Sequence, residues 1–208
     1  MSRLQVSFYF SPGSRYSYLA ASQISVLEVE TGCRVDWLPV LGGDIRAKRG
    51  RDPFVGEPVS GQYEQAYRHR DASSWARFYG IPFREPPADI DFRLLVRAAE
   101  SARQLGSVAA YGWELARTVY GSDEWPIDES VCVRVAERLE RPIGEFRELL
   151  HSPEIERSIT ATAEAAHARG AFGVPTFFFG DQMFWGNDRI PLLRHALRQE
   201  RSASDQSR

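Results

Sequence analysis

Strand-forming sequence is confined to the two ends of this 208-residue chain, and that restricts the fold more than any other feature. Residues Gln5–Phe10 (QVSFYF) are rich in β-branched and aromatic types and read as a short buried strand. Ser11-Pro12-Gly13-Ser14 is a turn cluster. Beyond it Tyr16, Ala20, Ile24 and Leu27 fall at helical spacing, with Gly32 as the natural stop. Residues 34–40 (RVDWLPV) are a second strand. This β–α–β opening favours parallel pairing with a right-handed crossover. Strand character returns only at residues 174–179 (VPTFFF). Gly180-Asp181 then makes a tight turn, and Gln182–Trp185 is the returning arm of a hairpin. Residues 188–198 form a last helix striped by Ile190, Leu193 and Leu197, and the polar tail 202–208 is expected to fray.

The stretch between these ends is of another kind. Residues 42–62 are punctuated by Gly42, Gly43, Gly50, Gly56 and Gly61 with Pro53 and Pro58, which predicts a long loop of the sort that is often functional. From Tyr63 onward the spacing is helical, with Tyr63, Tyr67, Ser74 and Phe78 near one face. Further helices are predicted from Leu94, from Tyr111, over 131–139, 143–150 and 153–169. Neither group of terminal strands can stand alone, so the two must share one sheet with the helical block inserted between them. That order predicts an α/β thioredoxin-like fold with a large helical insertion. The sheet-forming unit is residues 1–41 and 171–208, and the inserted helical unit is 42–170.

Composition narrows the function. Net charge is −2 from 26 basic and 28 acidic residues, which implies no basic face for nucleic acid. Lys48 is the single lysine, and the arginine excess reads as codon composition. No apolar run approaches the length of a membrane helix, and the N-terminus lacks a signal-peptide pattern, so a soluble cytoplasmic protein is expected. Cys33 and Cys132 are too far apart for a CxxC or zinc pattern and read as packed thiols. The four histidines make no HExxH or Cys/His spacing, and GxSxG, P-loop and Rossmann glycine patterns are absent.

Four local features can carry chemistry. Ser11, Ser14 and Ser17 stand where a hydroxyl either caps a helix or meets an anion at its free N–H groups. Val174-Pro175 opens a strand with a proline that removes a ladder donor, a plausible cis bond. Asn187 and Asp188 precede an apolar helical stripe, as caps or as a ligand's ammonium partner. Arg68-His69-Arg70, with Arg46, Lys48, Arg49 and Arg51, is a solvated face or a carboxylate-binding one.

In combination these segments resemble a known family. FYF-SPGS-RYSYLA over residues 8–20 is similar to the opening of 2-hydroxychromene-2-carboxylate isomerases and kappa-class glutathione transferases, typically FYFD-x-x-SPYSYLA. WARFYGIP (75–82), FGVPTF (172–177) and FWGNDR (184–189) match family segments in the same order. The resemblance implies a thioredoxin domain with a DsbA/kappa-type insertion, glutathione as cofactor, a small aromatic carboxylate substrate and a homodimer. It places Ser14 as the catalytic serine, where thiol oxidoreductases keep a cysteine. Val174, ahead of cis-Pro175, corresponds to the residue whose backbone pairs with the cysteinyl unit of glutathione, and Asn187 and Asp188 to the pair holding its γ-glutamyl end. The implied chemistry is reversible thiolate addition to a conjugated carbon, rotation about the resulting single bond, and elimination. Tyr16, Phe54 and Trp185 are candidates for an apolar wall. The family's aspartate after FYF is Ser11 here, its proline after the serine is Arg15, and Arg51 stands where a family asparagine is common. Because SPGS mimics a CPxC with both cysteines replaced, Ser11 is an alternative to Ser14. A kappa-like glutathione transferase and a non-redox thiol-binding module are the other readings of the same chain.

Overall fold

The structure is a computed structural model that describes residues 3–47, 64–87 and 90–206. Four strands form one sheet: β1 (Gln5–Phe10), β2 (Arg34–Pro39), β3 (Thr176–Phe179) and β4 (Gln182–Trp185), in the order β2-β1-β3-β4. β1 runs parallel to β2 and antiparallel to β3, and β3 and β4 form an antiparallel hairpin. The ends of the chain therefore meet in one sheet, as their sequence requires. The helices are α1 (Arg15–Ala21), α2 (Ile24–Thr31), α3 (Gly42–Ala47), α4 (Gln65–Tyr79), α5 (Phe92–Gln104), α6 (Val108–Gly121), α7 (Glu129–Arg138), α8 (Ile143–His151), α9 (Pro153–Ala168) and α10 (Ile190–Gln206).

β1 is buried on both faces over Phe8–Phe10, whereas Gln5 is exposed and Ser7 half-buried on its second face. On one side Val6, Phe8 and Phe10 join Trp37, Phe177 and residues of α1, α2, α5, α6 and α10. Phe8 stacks on Phe177 at 4.6 Å and on Phe10 at 5.2 Å, with Trp37 edge-on at 4.9 Å. On the other side Tyr9 and Phe178 pack with Val40, Ile45 of α3, and Ala163 and Ala166 of α9. α5 is buried along most of its length, so its one acidic residue, Glu100, is fully enclosed and satisfied by Arg103 (2.7 Å) and the Ser158 hydroxyl (2.7 Å).

Several boundaries differ from the sequence expectation, each for a local reason. The single helix expected from Tyr16 to Gly32 is two, α1 and α2. The Ser22 hydroxyl donates to the Leu19 carbonyl (2.7 Å) and competes with the helical ladder at the break. Gly32 ends α2 in the left-handed conformation (φ 69°). The expected loop at 42–62 begins instead as α3, which buries Ile45; residues 48–63 lie outside the described residues, with Lys48, Arg49, Arg51, Phe54 and Tyr63 among them. On α4 the buried positions are Ala72 and Ala76, against Leu19, whereas Tyr67 and Phe78 are exposed. Small residues there let α4 approach α1, and the aromatic periodicity marked the outer face. The tail continues α10 through Gln206.

Both cysteines are free and fully buried. Burial pushes the Cys132 thiol up to about 12 and raises that of Cys33. We therefore expect Ellman's reagent to find no thiol in the folded protein at neutral pH and both after denaturation. Rapid labelling of either thiol under native conditions would contradict the packing described above.

Candidate active site

The site begins at the C-terminal end of β1. The Ser14 N–H donates to the Ser11 carbonyl (2.9 Å), closing the Ser11–Ser14 turn. The Ser11 N–H reaches the Ser17 hydroxyl oxygen (3.3 Å). Ser14 caps α1 in extended conformation, its Oγ accepting from the Ser17 N–H at 3.3 Å. An oxygen that caps by accepting keeps its own proton for another acceptor. Ser11 and Ser17 are buried, at 3% and 1% exposure, whereas Ser14 is half-buried. Between the two registers that the SPGS tetrapeptide allows, this exposure favours Ser14 as the hydroxyl that meets a ligand.

Gly13 carries the loop's position. The Tyr120 hydroxyl of α6 donates to the Gly13 carbonyl, and burial raises that phenol's pKa, so it stays protonated as a donor. The Phe92 ring lies where a Gly13 side chain would begin: an added Cβ would come within 2.6 Å of it. Neither contact has a local sequence signal, because Tyr120 is 107 positions away from Gly13.

Arg15, in the place of the family's proline, reaches away from the turn. It pairs with Glu85 (2.8 Å) and donates to the Gln65 side chain (3.2 Å), joining α1 to α4 and to the segment after it. His69 Nδ1 stands 3.7 Å from the same carboxylate. Tyr16 donates to Asp71 (3.0 Å) with the Arg68 guanidinium 5.9 Å above its ring, and burial raises its phenol to about 12. Tyr16 is thus tied to α4.

The strand register brings the second half of the site to the first. Tyr9 pairs with Thr176, so the turn that follows β1 faces the residues that precede β3. There the Val174-Pro175 bond is cis, and Val174 stands outside the paired stretch. Gly42 of α3 packs on Val174: a Cβ added to it would lie 3.2 Å from Val174 Cγ2 and 3.1 Å from the Arg46 guanidinium. Trp185 is half-exposed, with its ring on Phe172 at 4.8 Å and its indole nitrogen beside Gly173.

The third part is the turn after β4. Asn187–Arg189 is a short 3-10 turn that packs against α1, and the Gly186 N–H donates to the Pro175 carbonyl (2.9 Å). Gly186 adopts φ 104°, and a Cβ there would strike the Asp188 carboxylate at 2.3 Å. Asn187 turns inward at 2% exposure; its carbonyl accepts from the Tyr79 hydroxyl (3.3 Å) while its side-chain Nδ2 has no partner. Asp188 turns outward beside Arg189 (2.9 Å). The structure therefore gathers Ser14, Val174, Pro175 and the 187–188 turn around one end of the sheet. A groove of about 400 Å³ between Trp75, Phe78 and Tyr79 of α4 and Ile190 and Pro191 of α10 contains none of these residues.

A sheet with one inserted helical block, a turn and helix after β1, and a cis proline ahead of β3 is an arrangement with known counterparts. Residues 5–198 match the DSBA-like thioredoxin domain. The chain belongs to that family. It is 30% identical over 192 residues to the 2-hydroxychromene-2-carboxylate isomerase of Pseudomonas putida, covering 92% of this chain and 93% of the relative. An enzyme of the same name from Sphingobium xenophagum is 27% identical over 197 residues, covering 92% of this chain and 97% of the relative. Among solved structures, a 2-hydroxychromene-2-carboxylate isomerase superposes with a TM-score of 0.86 at 30% identity, covering 99% of this chain and 100% of that one. A probable DsbA oxidoreductase from Streptomyces coelicolor shares the fold alone, with a TM-score of 0.72 at 19% identity over 95% of this chain and 89% of that one. The family resemblance carried by the sequence motifs is thus established over nearly the whole chain.

Proposed function

We propose that the protein is a glutathione-dependent isomerase acting on a 2-hydroxychromene-2-carboxylate or a close aromatic-degradation relative. The observation that carries this reading is Ser14, a half-buried cap whose Oγ accepts from the Ser17 N–H and whose proton remains to be donated. The names of the relatives support the isomerase type. No cysteine occupies the turn, and a hydroxyl has no disulfide chemistry, so thiol–disulfide exchange is not a role for Ser14.

The residues present fit a bound tripeptide thiol. Ser14 would donate to the sulfur, favouring thiolate over thiol. Val174 would offer its backbone to the cysteinyl unit, ahead of Pro175. Asp188, turned to solvent, would take the γ-glutamyl ammonium, and Asn187 would shape the turn that presents it. The unpartnered Asn187 Nδ2 is a buried donor in this turn. When bound, glutathione supplies the thiolate that adds reversibly to the conjugated carbon of the substrate. The chain's own part is to hold that sulfur, stabilise its charge through Ser14 and orient the substrate against it.

Calorimetric titration of glutathione tests the site. We expect wild-type binding in the micromolar to millimolar range, weakened about tenfold by Asp188→Ala, the loss of one charge-assisted contact. The absence of any heat up to about ten millimolar glutathione, a Kd weaker than ordinary cofactor sites, would sink the glutathione assignment. Product analysis then separates the isomerase from a transferase, which would yield a thioether adduct instead of an isomer.

A further inference from the structure

We propose that Phe92 is the specificity-determining wall of the substrate cleft, its exposed surface taking the planar conjugated ring of the substrate beside Ser14. The inference deepens the isomerase reading and rests on it for the identity of that substrate. One edge of the Phe92 ring lies against Gly13, the residue before Ser14, where a methyl of Leu95 also meets Gly13. The residue is nonetheless 48% exposed, whereas Leu95 is fully buried. A large aromatic left half-open at such a position is apolar surface that a ligand ring can cover.

The backbone on either side of the ring is anchored. Asp91 caps α5, its carboxylate accepting from the Leu94 N–H at 3.0 Å. Arg93 is locked between Glu156 of α9 and Asp44 of α3. Phe92 thus sits between two fixed neighbours, which lowers the ordering cost of stacking on it. The Arg93–Asp44 pair also sets the wall relative to the rest of the cleft, because α3 rests through Gly42 on Val174. Phe92 and Val174 are thus linked through α3, since Arg93, next to Phe92, pairs with its Asp44 and Val174 packs on its Gly42. A flat ring laid against Phe92 would sit beside Gly13, one residue from Ser14. The chain's exposed aromatic cluster on α4 has no such relation to Ser14.

The test uses the full-length protein and two ligands. The first is 2-naphthoate, an unreactive planar aromatic carboxylate, titrated calorimetrically without thiol. The second is 2-hydroxychromene-2-carboxylate, turned over with glutathione. We expect Phe92→Ala to weaken naphthoate binding about tenfold, Phe92→Leu to weaken it less, and Phe92→Trp to keep it within about twofold. In turnover, Phe92→Ala should raise KM by a similar factor while glutathione affinity stays unchanged. Failure of the wild type to bind naphthoate would overturn the proposal. So would equal naphthoate affinity in Phe92→Ala and wild type, or a substitution that weakens glutathione as much as the aromatic ligand. A wild type that binds naphthoate through Phe92 and has no thiol-dependent turnover would leave the wall standing and remove the isomerase reading instead.

Discussion

Replacing Ser14 with alanine should reduce thiol-dependent turnover at neutral pH by about two orders of magnitude, the size of effect seen when one preorganised donor to a developing or resident anion is removed. The fold should survive, because loss of a helix cap costs only about 1 kcal/mol. The pH dependence carries the decisive sign. On the proposed reading Ser14 would donate its proton to the sulfur and favour the charged form, holding the bound thiol's pKa below its free value of about 8.5. Below that value the wild type has thiolate and the variant has little. As pH rises through it, the variant's sulfur ionises unaided and the two rates converge. A pH–rate profile of both proteins checks this. A loss that is constant across pH would assign Ser14 to substrate positioning, and an unchanged rate would return the key hydroxyl to Ser11. Since Ser11 is buried and holds the Ser14 N–H through its carbonyl, the structure favours the first result.

What the sequence reveals depends on how local the determining interaction is. QVSFYF and VPTFFF announce buried strands by their β-branched and aromatic content, and their placement at opposite ends forces one shared sheet. The Ser14 helix cap and the cis Val174-Pro175 bond depend on short runs of consecutive residues, so they too were legible. The orientation of Asn187 and Asp188 was not. That Asn187 faces inward and Asp188 outward follows from the 3-10 turn and the positive φ of Gly186, which a helix-start pattern does not encode. The division of α1 from α2 arises from one serine side chain bonding back to the ladder. Tyr120 and Phe92 were beyond sequence reading altogether. Both contact Gly13 from helices that reach it only after the insertion has folded over the sheet, and nothing in their own neighbourhoods marks them. Arg15 shows the converse. Its replacement of a family proline was visible at once, yet only the structure gives it a purpose, as the residue that ties α1 to Gln65 and Glu85.

The same sheet that positions the site fixes the protein's stability. Phe8→Ala should cost about 4 kcal/mol, the usual loss when a buried phenylalanine is truncated inside a packed core. Phe8 is fully buried, is stacked between Phe10 and Phe177 and meets the edge of Trp37. The surrounding rings are anchored on three strands, β1, β2 and β3, so they have little freedom to collapse into the space. For a chain of this size such a loss lowers Tm by about 8–16 °C. Phe8→Leu keeps most of the volume and should cost less than about 1.5 kcal/mol. Thermal melts of the three proteins at one pH and concentration measure both shifts. A Tm within a few degrees of wild type for Phe8→Ala would mean that this face of the sheet is not the closed aromatic layer described. The Ser14 turn is held by β1 at its base and by the Tyr120 hydroxyl from the insertion, so loosening that layer should also weaken glutathione binding. Phe8→Leu, with the layer filled, should bind it normally.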